Sequence, residues 1–475
     1  MAHVLPGLIS VLLLGVGQFT GQEVTAIDPQ IAERIRQLEQ ETTALRSELA
    51  AIQQRPMRLP EGSGAGIEQT SATAADPLTA PSLAAAPVTM DQVKAEAKKF
   101  AWTKGDFTIT PYGILWSTMT YETQQTYVGD YVLFVQPGDP DRDGRFLVDA
   151  RSTRLGLDVA GPRVPFFCCA QSGGKVEFDF QRNIDTENRA SVLLRHAYVE
   201  VKNEEFRLLF GQTWDVMSPL YPGVLMYSVG WGGGNIGYRR AQLRGERYYE
   251  LSDTVLVTFQ AAAARDVANL FDSQTGVAFD GAPWPVIEAR MGTTLGPRGK
   301  DCLPWDFGVS GHFGQTDYDF TSPTWAQPVD GLVRHTWSAN ADFHVPLTHR
   351  FGVQGEFFVG ANLGTYFGGI VQSIDIGTPA SPGTRDEIRS AGGWIDFWYD
   401  LAPCLHTHFG YSIDDPFNED LTSGRTYNQF FFGNITYDLT KKFLVGFEIT
   451  DWTTNWIGRG ENESVNMACV AKYGF

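Results

Sequence analysis

The chain has 475 residues and carries 37 lysine and arginine residues against 55 aspartate and glutamate residues, a formal net charge of −18. This acidic balance argues against a nucleic-acid partner, because binding to phosphates needs a surplus of basic residues. Aromatic residues make up 13% of the chain, charged residues only 19%, and there are 50 glycines. Such a composition is poor in helix formers and favours β-structure.

Residues 1–22 have the features of a secretory signal peptide. An apolar run covers about Leu5 to Val16, which is too short to cross a membrane as a helix but has the length of a signal-peptide core. We therefore expect this segment to direct export. The rest of the sequence contains no apolar run of the length that a membrane helix needs, so any crossing of a membrane must be made by strands.

Residues 27–55 are predicted to form a short coiled coil in the periplasm, and residues 56–104 a linker. The seam positions follow a spacing of four and three residues over about three heptads: Ile31, Ile35, Leu38, Thr42, Leu45, Leu49 and Ile52. So narrow an apolar stripe favours self-association over a lone amphipathic helix. The linker is rich in proline, alanine, serine, threonine and glycine, which predicts flexibility, with a short helix at Asp91–Phe100.

Residues 105–475 change to an apolar period of two, which is typical of strands with two different faces. In Ser172–Gln181, for example, apolar residues at positions 176, 178 and 180 alternate with polar residues at 177, 179 and 181. About sixteen such segments occur. The last one, Val465–Phe475, carries apolar or aromatic residues at every odd position and ends on a phenylalanine, as bacterial outer-membrane barrels do.

The connections between these segments alternate between short turns and long loops. Asn203–Glu205 and Leu251–Thr254 are tight, whereas Glu122–Arg145, Asp215–Tyr238 and Asn362–Gly393 are long and rich in glycine, proline or aspartate. A soluble sandwich would mix loop lengths between its ends. The sequence therefore predicts an all-β transmembrane β-barrel of about sixteen antiparallel strands, with both ends of the barrel on the periplasmic side and a water-filled lumen.

One part of this acidic chain is enriched in basic residues. Between Arg145 and Glu250 there are 14 basic and 12 acidic residues. Arginine facing lipid at mid-depth costs roughly 2–4 kcal/mol, so arginines within predicted strands should face the lumen. Strand parity predicts these pore-constriction residues: Arg154, Arg195, Arg207, Arg240, Gln242, Arg244 and Arg290. Guanidinium groups bind carboxylates and phosphates, so they predict a preference for anions.

Two qualifications apply to these arginines. They could instead balance acidic residues on adjacent strands, such as Asp158, Glu177 and Asp179. Arg195 also shares its parity with Ala197 and the valines that follow it. It can therefore face the lumen only if it lies near a rim or if a bulge shifts it.

The loop Asp215–Tyr238 is unusually apolar and contains no lysine or arginine. A loop of this composition is poorly suited to solvent, and we expect it to fold into the barrel and narrow it. Its predicted constriction residues are Asp215, Tyr221, Tyr227 and Trp231. The alternative is an outward loop that contacts a neighbouring subunit.

Other motifs carry weaker signals. Asp139, Asp141 and Asp143 resemble the start of a calcium loop, but no glutamate stands at its twelfth position, so no metal site is predicted. Gly232–Gly237 fits a dinucleotide-binding pattern but precedes a strand instead of opening a helix. The sequence contains no GxSxG, HExxH or P-loop, so we expect no cofactor and no enzyme activity, with a barrel-embedded hydrolase as the enzymatic alternative. The pairing of the cysteines stays open: Cys168, Cys169, Cys302, Cys404 and Cys469.

Several short motifs resemble the DcaP-like family of trimeric outer-membrane porins. They are Arg195–Glu200, Leu209–Trp214 and Arg239–Arg244, supported by Arg154–Leu157 and Val176–Phe180. The order of signal peptide, coiled coil, linker and barrel is also similar. The acidic remainder of the chain and the Cys168–Cys169 pair depart from the family pattern, so the resemblance is to a distant member.

The resemblance implies a homotrimer in the lipid of the bacterial outer membrane. It also implies passive uptake of small anionic solutes such as dicarboxylates, past a basic wall that includes Arg154, Arg240 and Arg244. Two alternatives stay open. The chain could be a general diffusion porin without anion preference, or a structural outer-membrane protein whose lumen is plugged.

Overall fold

The structure is a computed structural model that describes residues 101–129, 131–138, 143–167, 169–182, 190–267, 278–280, 282–299, 301–322 and 325–475. The predicted signal peptide and coiled coil lie outside these residues, as do residues 56–100 of the predicted linker. Cys168, Asp139 and Asp141 lie outside them too, and only the backbone of Asp143 is described. Within the described residues, no helix is long and apolar enough to cross a membrane.

Sixteen antiparallel strands form a closed barrel, which confirms the predicted fold class for this part of the chain. The strands are β1 Phe107–Gln124, β2 Asp143–Asp149 with Arg154–Val164, β3 Ala170–Asp179, β4 Leu193–Lys202, β5 Phe206–Trp214, β6 Arg239–Ser252, β7 Val255–Ala264, β8 Val286–Leu295, β9 Trp305–Phe320, β10 Val329–Pro346, β11 Phe351–Ala361, β12 Arg389–Ala402, β13 Leu405–Pro416, β14 Arg425–Thr440, β15 Phe443–Trp456 and β16 Gly460–Gly474. Both segments of β2 pair with β1. On its other edge β1 pairs with β16, from Ile114 opposite Gly474 to Glu122 opposite Asn466, and this pairing closes the sheet.

A few short elements accompany the barrel. The strand Trp102–Lys104 pairs with the start of β1, within the segment predicted as linker. Two more short strands, Thr126–Val128 and Val132–Val135, pair with each other, and Ala278–Asp280 pairs with β9. Single-turn 3₁₀ helices occur at Pro165–Phe167, Gly364–Tyr366, Gly369–Val371 and Asn418–Asp420.

Loop lengths alternate around the barrel with two exceptions. The connection from β8 to β9 is nine residues long, 296–304, although it lies at the end where the other turns are short. The connection from β15 to β16 has only three residues, 457–459, although it lies at the end with the long loops. The remaining connections follow the alternation, which indicates one end with short turns and one with long loops.

The strand faces alternate between apolar and polar side chains. In β6, Ala241 and Leu243 are exposed on the outer surface, whereas Arg240 and Gln242 are buried on the inner side. Large exposed apolar residues recur around the outside, among them Phe210, Phe313 and Phe409. An outer apolar surface and a polar interior are what a barrel in a lipid bilayer requires.

Three loops fold into the barrel and pack against one another. They are the first loop (described at residues 125–129 and 131–138), the crossing loop (Asp215–Tyr238) and the long loop (residues 362–388). Their apolar side chains form a shared cluster of Tyr131, Leu133, Phe134, Tyr227, Trp231, Phe367 and Ile370. The ring of Trp231 stacks on that of Phe367 with centroids 4.5 Å apart. The cluster gives the lumen a packed plug on the side of the long loops.

Candidate functional site

The crossing loop is held by buried carboxylates on strands across the lumen from its origin. It leaves β5 at Trp214 and returns to the wall at β6. Four of its backbone N–H groups donate to wall carboxylates: Val216 to Glu288 (2.8 Å), Leu220 to Glu356 (2.7 Å), Gly223 to Asp396 (2.9 Å) and Leu225 to Glu448 (2.6 Å). The acceptors belong to β8, β11, β12 and β15. The crossing loop therefore lies inside the barrel and spans it.

The other two inward loops use the same kind of anchor. The N–H of Ile370 in the long loop donates to Asp414 at 2.9 Å. The N–H of Thr126 in the first loop donates to Glu122 at 3.2 Å. All six acceptor carboxylates are buried. A buried backbone N–H needs an acceptor, and these six side chains provide one, so some of the acidic residues of this chain serve to dock its loops.

The three glycines at 232–234 let the crossing loop lie close to the barrel wall. Gly234 has φ +125, and a Cβ there would lie 2.5 Å from the carbonyl oxygen of Gly393 and 2.7 Å from that of Ile413. The carbonyl of Gly233 accepts a hydrogen bond from the hydroxyl of Ser412 at 2.5 Å. The contact with β12 and β13 explains the glycine at this position, because only glycine adopts this φ where the wall leaves no room for a Cβ.

Arg240 lies at the base of the plug and is fully buried. Its guanidinium is 3.1 Å from Asp215, 3.4 Å from Asp266 and 3.8 Å from Glu288. It also donates to the carbonyl of Thr365 at 2.8 Å and lies 3.5 Å from the ring centroid of Tyr366. Arg240 therefore joins the crossing loop to the long loop, and its side chain is covered by them.

Arg195 reaches the interior through a bulge, one of the two possibilities that the sequence left open. Glu177 pairs with His196, but the next residue of β3, Phe178, pairs with Leu194, so Arg195 is the extra residue of β4. Its guanidinium then contacts Glu177 (2.6 Å) and Asp179 (2.9 Å).

Tyr227 of the crossing loop extends this cluster. Its hydroxyl donates to Asp179 at 2.8 Å. Burial raises the pKa of Tyr227 to about 12, so the phenol keeps its proton and remains a donor. Through Tyr227, this cluster joins the crossing loop to β3, near the strand from which the loop starts. The four carboxylates described above join the loop to β8, β11, β12 and β15.

Arg207, Arg244 and Arg290 are paired but partly open to the lumen. Arg207 contacts Glu200 (2.7 Å), Arg244 contacts Glu246 (2.7 Å) and Arg290 contacts Asp342 (2.6 Å). In each pair the arginine side chain is the more exposed partner: 22% against 7%, 12% against 5%, and 13% against 3%. Gln242 is buried and donates to the carbonyl of Trp214 at 3.0 Å.

Arg154 differs from the other predicted arginines. Within the described part of the chain it forms no ion pair with a carboxylate, and its Nε is buried without a hydrogen-bond partner. Its guanidinium lies 5.1 Å from the ring centroid of Trp116 on β1. The remaining predicted loop residues, Tyr221 and Trp231, both lie against Trp214, with ring centroids 5.2 and 6.1 Å away.

The sequence analysis missed several buried or inward cations, of which Arg239 and Lys472 are two. Arg239 is buried with its guanidinium 4.7 Å from the ring of Tyr238 and 4.8 Å from that of Trp214. Lys472 on β16 lies with Nζ 3.8 Å from the ring of Trp116. Lys472 could have been found, because it is at an even position of a strand whose odd positions are apolar. Arg239 could not, because it borders the crossing loop, where strand parity does not apply.

The described residues contain no group of three or more histidine, cysteine, aspartate or glutamate side chains arranged to hold a metal ion. Many charged residues of the interior instead pair with one another or bind loop amides, and Arg154, Arg239 and Lys472 lie against aromatic rings. Their arrangement can order loops and present positive charge to a solute.

Comparisons with known proteins place the fold among porins. The chain is similar to the outer membrane channel DcaP of Acinetobacter baumannii, with a TM-score of 0.61 and 17% identity over 78% of this chain and 99% of that one. It is also similar to an anion-selective porin from Comamonas acidovorans, with a TM-score of 0.51 and 12% identity over 78% of this chain and 100% of that one. No family model and no curated protein matches the sequence. The first likeness confirms the resemblance to DcaP-like porins at the level of the fold.

Proposed function

We propose that this chain is a bacterial outer-membrane porin that passes small hydrophilic solutes and prefers anions, dicarboxylates among them. A closed sixteen-stranded barrel is wide enough to hold an aqueous channel, and the outer apolar surface suits a bilayer. The two similar porins, one of them described as anion-selective, support the same assignment. The predicted coiled coil supports a homotrimer.

The preference for anions depends on one observation above all. In the pairs formed by Arg207, Arg244 and Arg290, the arginine side chain is more exposed than the acidic side chain that it contacts. Fixed charge on a low-dielectric wall focuses the field and concentrates counter-ions. The carboxylates of the opposite wall contribute less to this field, because they are buried beneath the inward loops.

The second candidate is a structural outer-membrane protein with a blocked lumen. The apolar cluster that joins the three inward loops favours it, since a packed cluster excludes water. Conductance separates the two functions, because a plug carries no current.

The test is a planar-bilayer recording on protein purified in mild detergent. We expect stepwise conductance, and in a KCl gradient a reversal potential of the sign for a chloride-preferring pore. No conductance would establish the plugged alternative. Conductance with no ion preference would reduce the function to general diffusion. Chemical cross-linking of the same sample should yield three chains.

A further inference from the structure

We propose that Lys472 and Arg154, positioned on either side of Trp116, form the site that selects anions in the lumen, with Lys472 as its determining residue. This rests on the proposed function as an anion-preferring porin. It moves the decisive charge away from the pairs of Arg207, Arg244 and Arg290, in which a bound carboxylate offsets the guanidinium, and from Arg240, whose carboxylate partners and burial keep it from a passing solute.

The three residues lie on neighbouring strands of the inner wall. Lys472 on β16 is directly opposite Trp116 on β1, and Arg154 on β2 is opposite Ile114, the previous inward residue of β1. The indole is therefore between two cations, with Nζ of Lys472 3.8 Å and the guanidinium carbon of Arg154 5.1 Å from its ring centroid. Cations over an indole face are favoured. The indole N–H donates to the hydroxyl of Thr118 at 3.1 Å, which fixes the ring.

Both cations lack an anionic partner among the described residues. Arg195, Arg207, Arg240, Arg244 and Arg290 each contact at least one carboxylate at 3.1 Å or less. Neither Lys472 nor Arg154 does, and the buried Nε of Arg154 has no hydrogen-bond acceptor. A cation without a partner inside a protein is costly unless an anion or water reaches it. An anion in the lumen supplies the ionic partner that the described residues do not provide.

The nearby carboxylate is already engaged. Glu448 on β15 accepts hydrogen bonds from the N–H of Leu225 at 2.6 Å and from the amide of Asn434 at 3.0 Å. Glu448 therefore holds the crossing loop in place beside the two cations.

The crossing loop touches the wall at this site. Leu225 of the crossing loop packs on Trp116 and Val470. Next to that contact, a gap of about 20 Å³ separates the loop from the wall, and its lining includes Thr118, Thr120 and Asn466 together with the acidic residues Asp149 and Glu448. A gap of this size has room for about one water molecule, so the loop and the wall are not fully packed here. A small anion that reaches this part of the wall meets two cations that form no ion pair with a carboxylate of the described residues.

The experiment compares reversal potentials of single channels in a KCl gradient for K472Q, R154Q and the double variant. We expect the double variant to lose about threefold or more of its chloride-to-potassium permeability ratio, because the local field loses both charges. The matched control is K175Q, which removes another inward lysine that is paired with Asp158 at 3.2 Å. It should change the ratio much less. K472R keeps the charge and should retain the ratio of the unmodified protein.

The outcomes separate the two proposals. If the unmodified channel shows no anion preference, the proposed function is overturned and this site with it. If the unmodified channel prefers anions and the double variant matches it, only the assignment to Lys472 and Arg154 is overturned. A loss in K472R equal to that in K472Q also overturns it, because the charge would then not be the cause.

Discussion

Two walls of the same barrel use buried carboxylates differently. On β3 to β6, Glu177, Glu200 and Glu246 pair with arginines of adjacent strands, Glu177 with Arg195 and the other two with Arg207. On β11 to β15, Glu356, Asp396, Asp414 and Glu448 accept backbone N–H groups of loops that fold inward. The first wall presents charge to the lumen, and the second carries the loops that narrow it. Glu288 on β8 combines the two uses, since it lies near Arg240 and accepts the N–H of Val216.

The two walls differ because of the hydrogen-bond donors that the inward loops provide. The crossing loop contains no lysine or arginine, so its donors to the wall carboxylates are its own amides and the hydroxyl of Tyr227. A carboxylate is the strongest acceptor that a wall can provide for them. Acidic residues in the lumen of such a barrel therefore need not indicate cation selectivity, and inward arginines need not line the path of a solute.

Replacing Arg240 by alanine should have the largest effect on this arrangement. It would leave Asp215, Asp266 and Glu288 buried together without their cation, and breaking a buried ion pair on one side costs about 3–5 kcal/mol. We expect the crossing loop and the long loop to separate, with a lower thermal unfolding temperature in detergent and a larger, noisier conductance. A variant with unchanged stability and a shifted reversal potential would instead make Arg240 part of the pore wall.

Replacing Gly234 by alanine should disturb the contact between the crossing loop and the wall. The new Cβ would meet backbone carbonyls of β12 and β13, and φ +125 is unfavourable for alanine; strain of this kind costs roughly 1–3 kcal/mol. Limited proteolysis of the loop should become faster. Gly433→Ala is the control, because a Cβ there meets nothing within 4 Å. Equal protection of both variants would show that the loop does not depend on this contact.

Replacing Glu448 by glutamine keeps the shape of the side chain and removes its charge. The bond from Leu225 then loses its ionic character, which lowers its contribution by about 1 kcal/mol. We expect more frequent brief current fluctuations with little change in mean selectivity. Glu200→Gln on the other wall should behave in the opposite way and shift the reversal potential without added fluctuations. Identical behaviour of the two variants would remove the distinction between the walls.

Replacing Arg244 by glutamine should have the smallest effect. The side chain is paired with Glu246 and only 12% exposed, so its loss should move the reversal potential slightly toward potassium. The shift should vanish near roughly 1 M salt, where the screening length is about 3 Å. Persistence of the shift at high salt would indicate a change of pore shape rather than of charge.

Much of the fold follows from local patterns in the sequence. The period of two and the alternating connections predict a barrel of about sixteen strands, because strand parity and loop length can be read from the sequence residue by residue. The inward direction of Arg207, Arg240 and Arg244 also follows from parity, since charge cannot face lipid at low cost.

Only the tertiary structure decided which charges meet. Leu225 and its acceptor Glu448 are 223 residues apart, and nothing in the local sequence of either one specifies that contact. The bulge at Arg195 interrupts the alternation of inward and outward side chains along β4. The direction of the Arg195 side chain therefore does not follow from that alternation. Parity determines the side of the wall on which a residue lies. Burial, ionic partners and access to a solute depend on three loops whose positions are set by long-range hydrogen bonds and apolar packing.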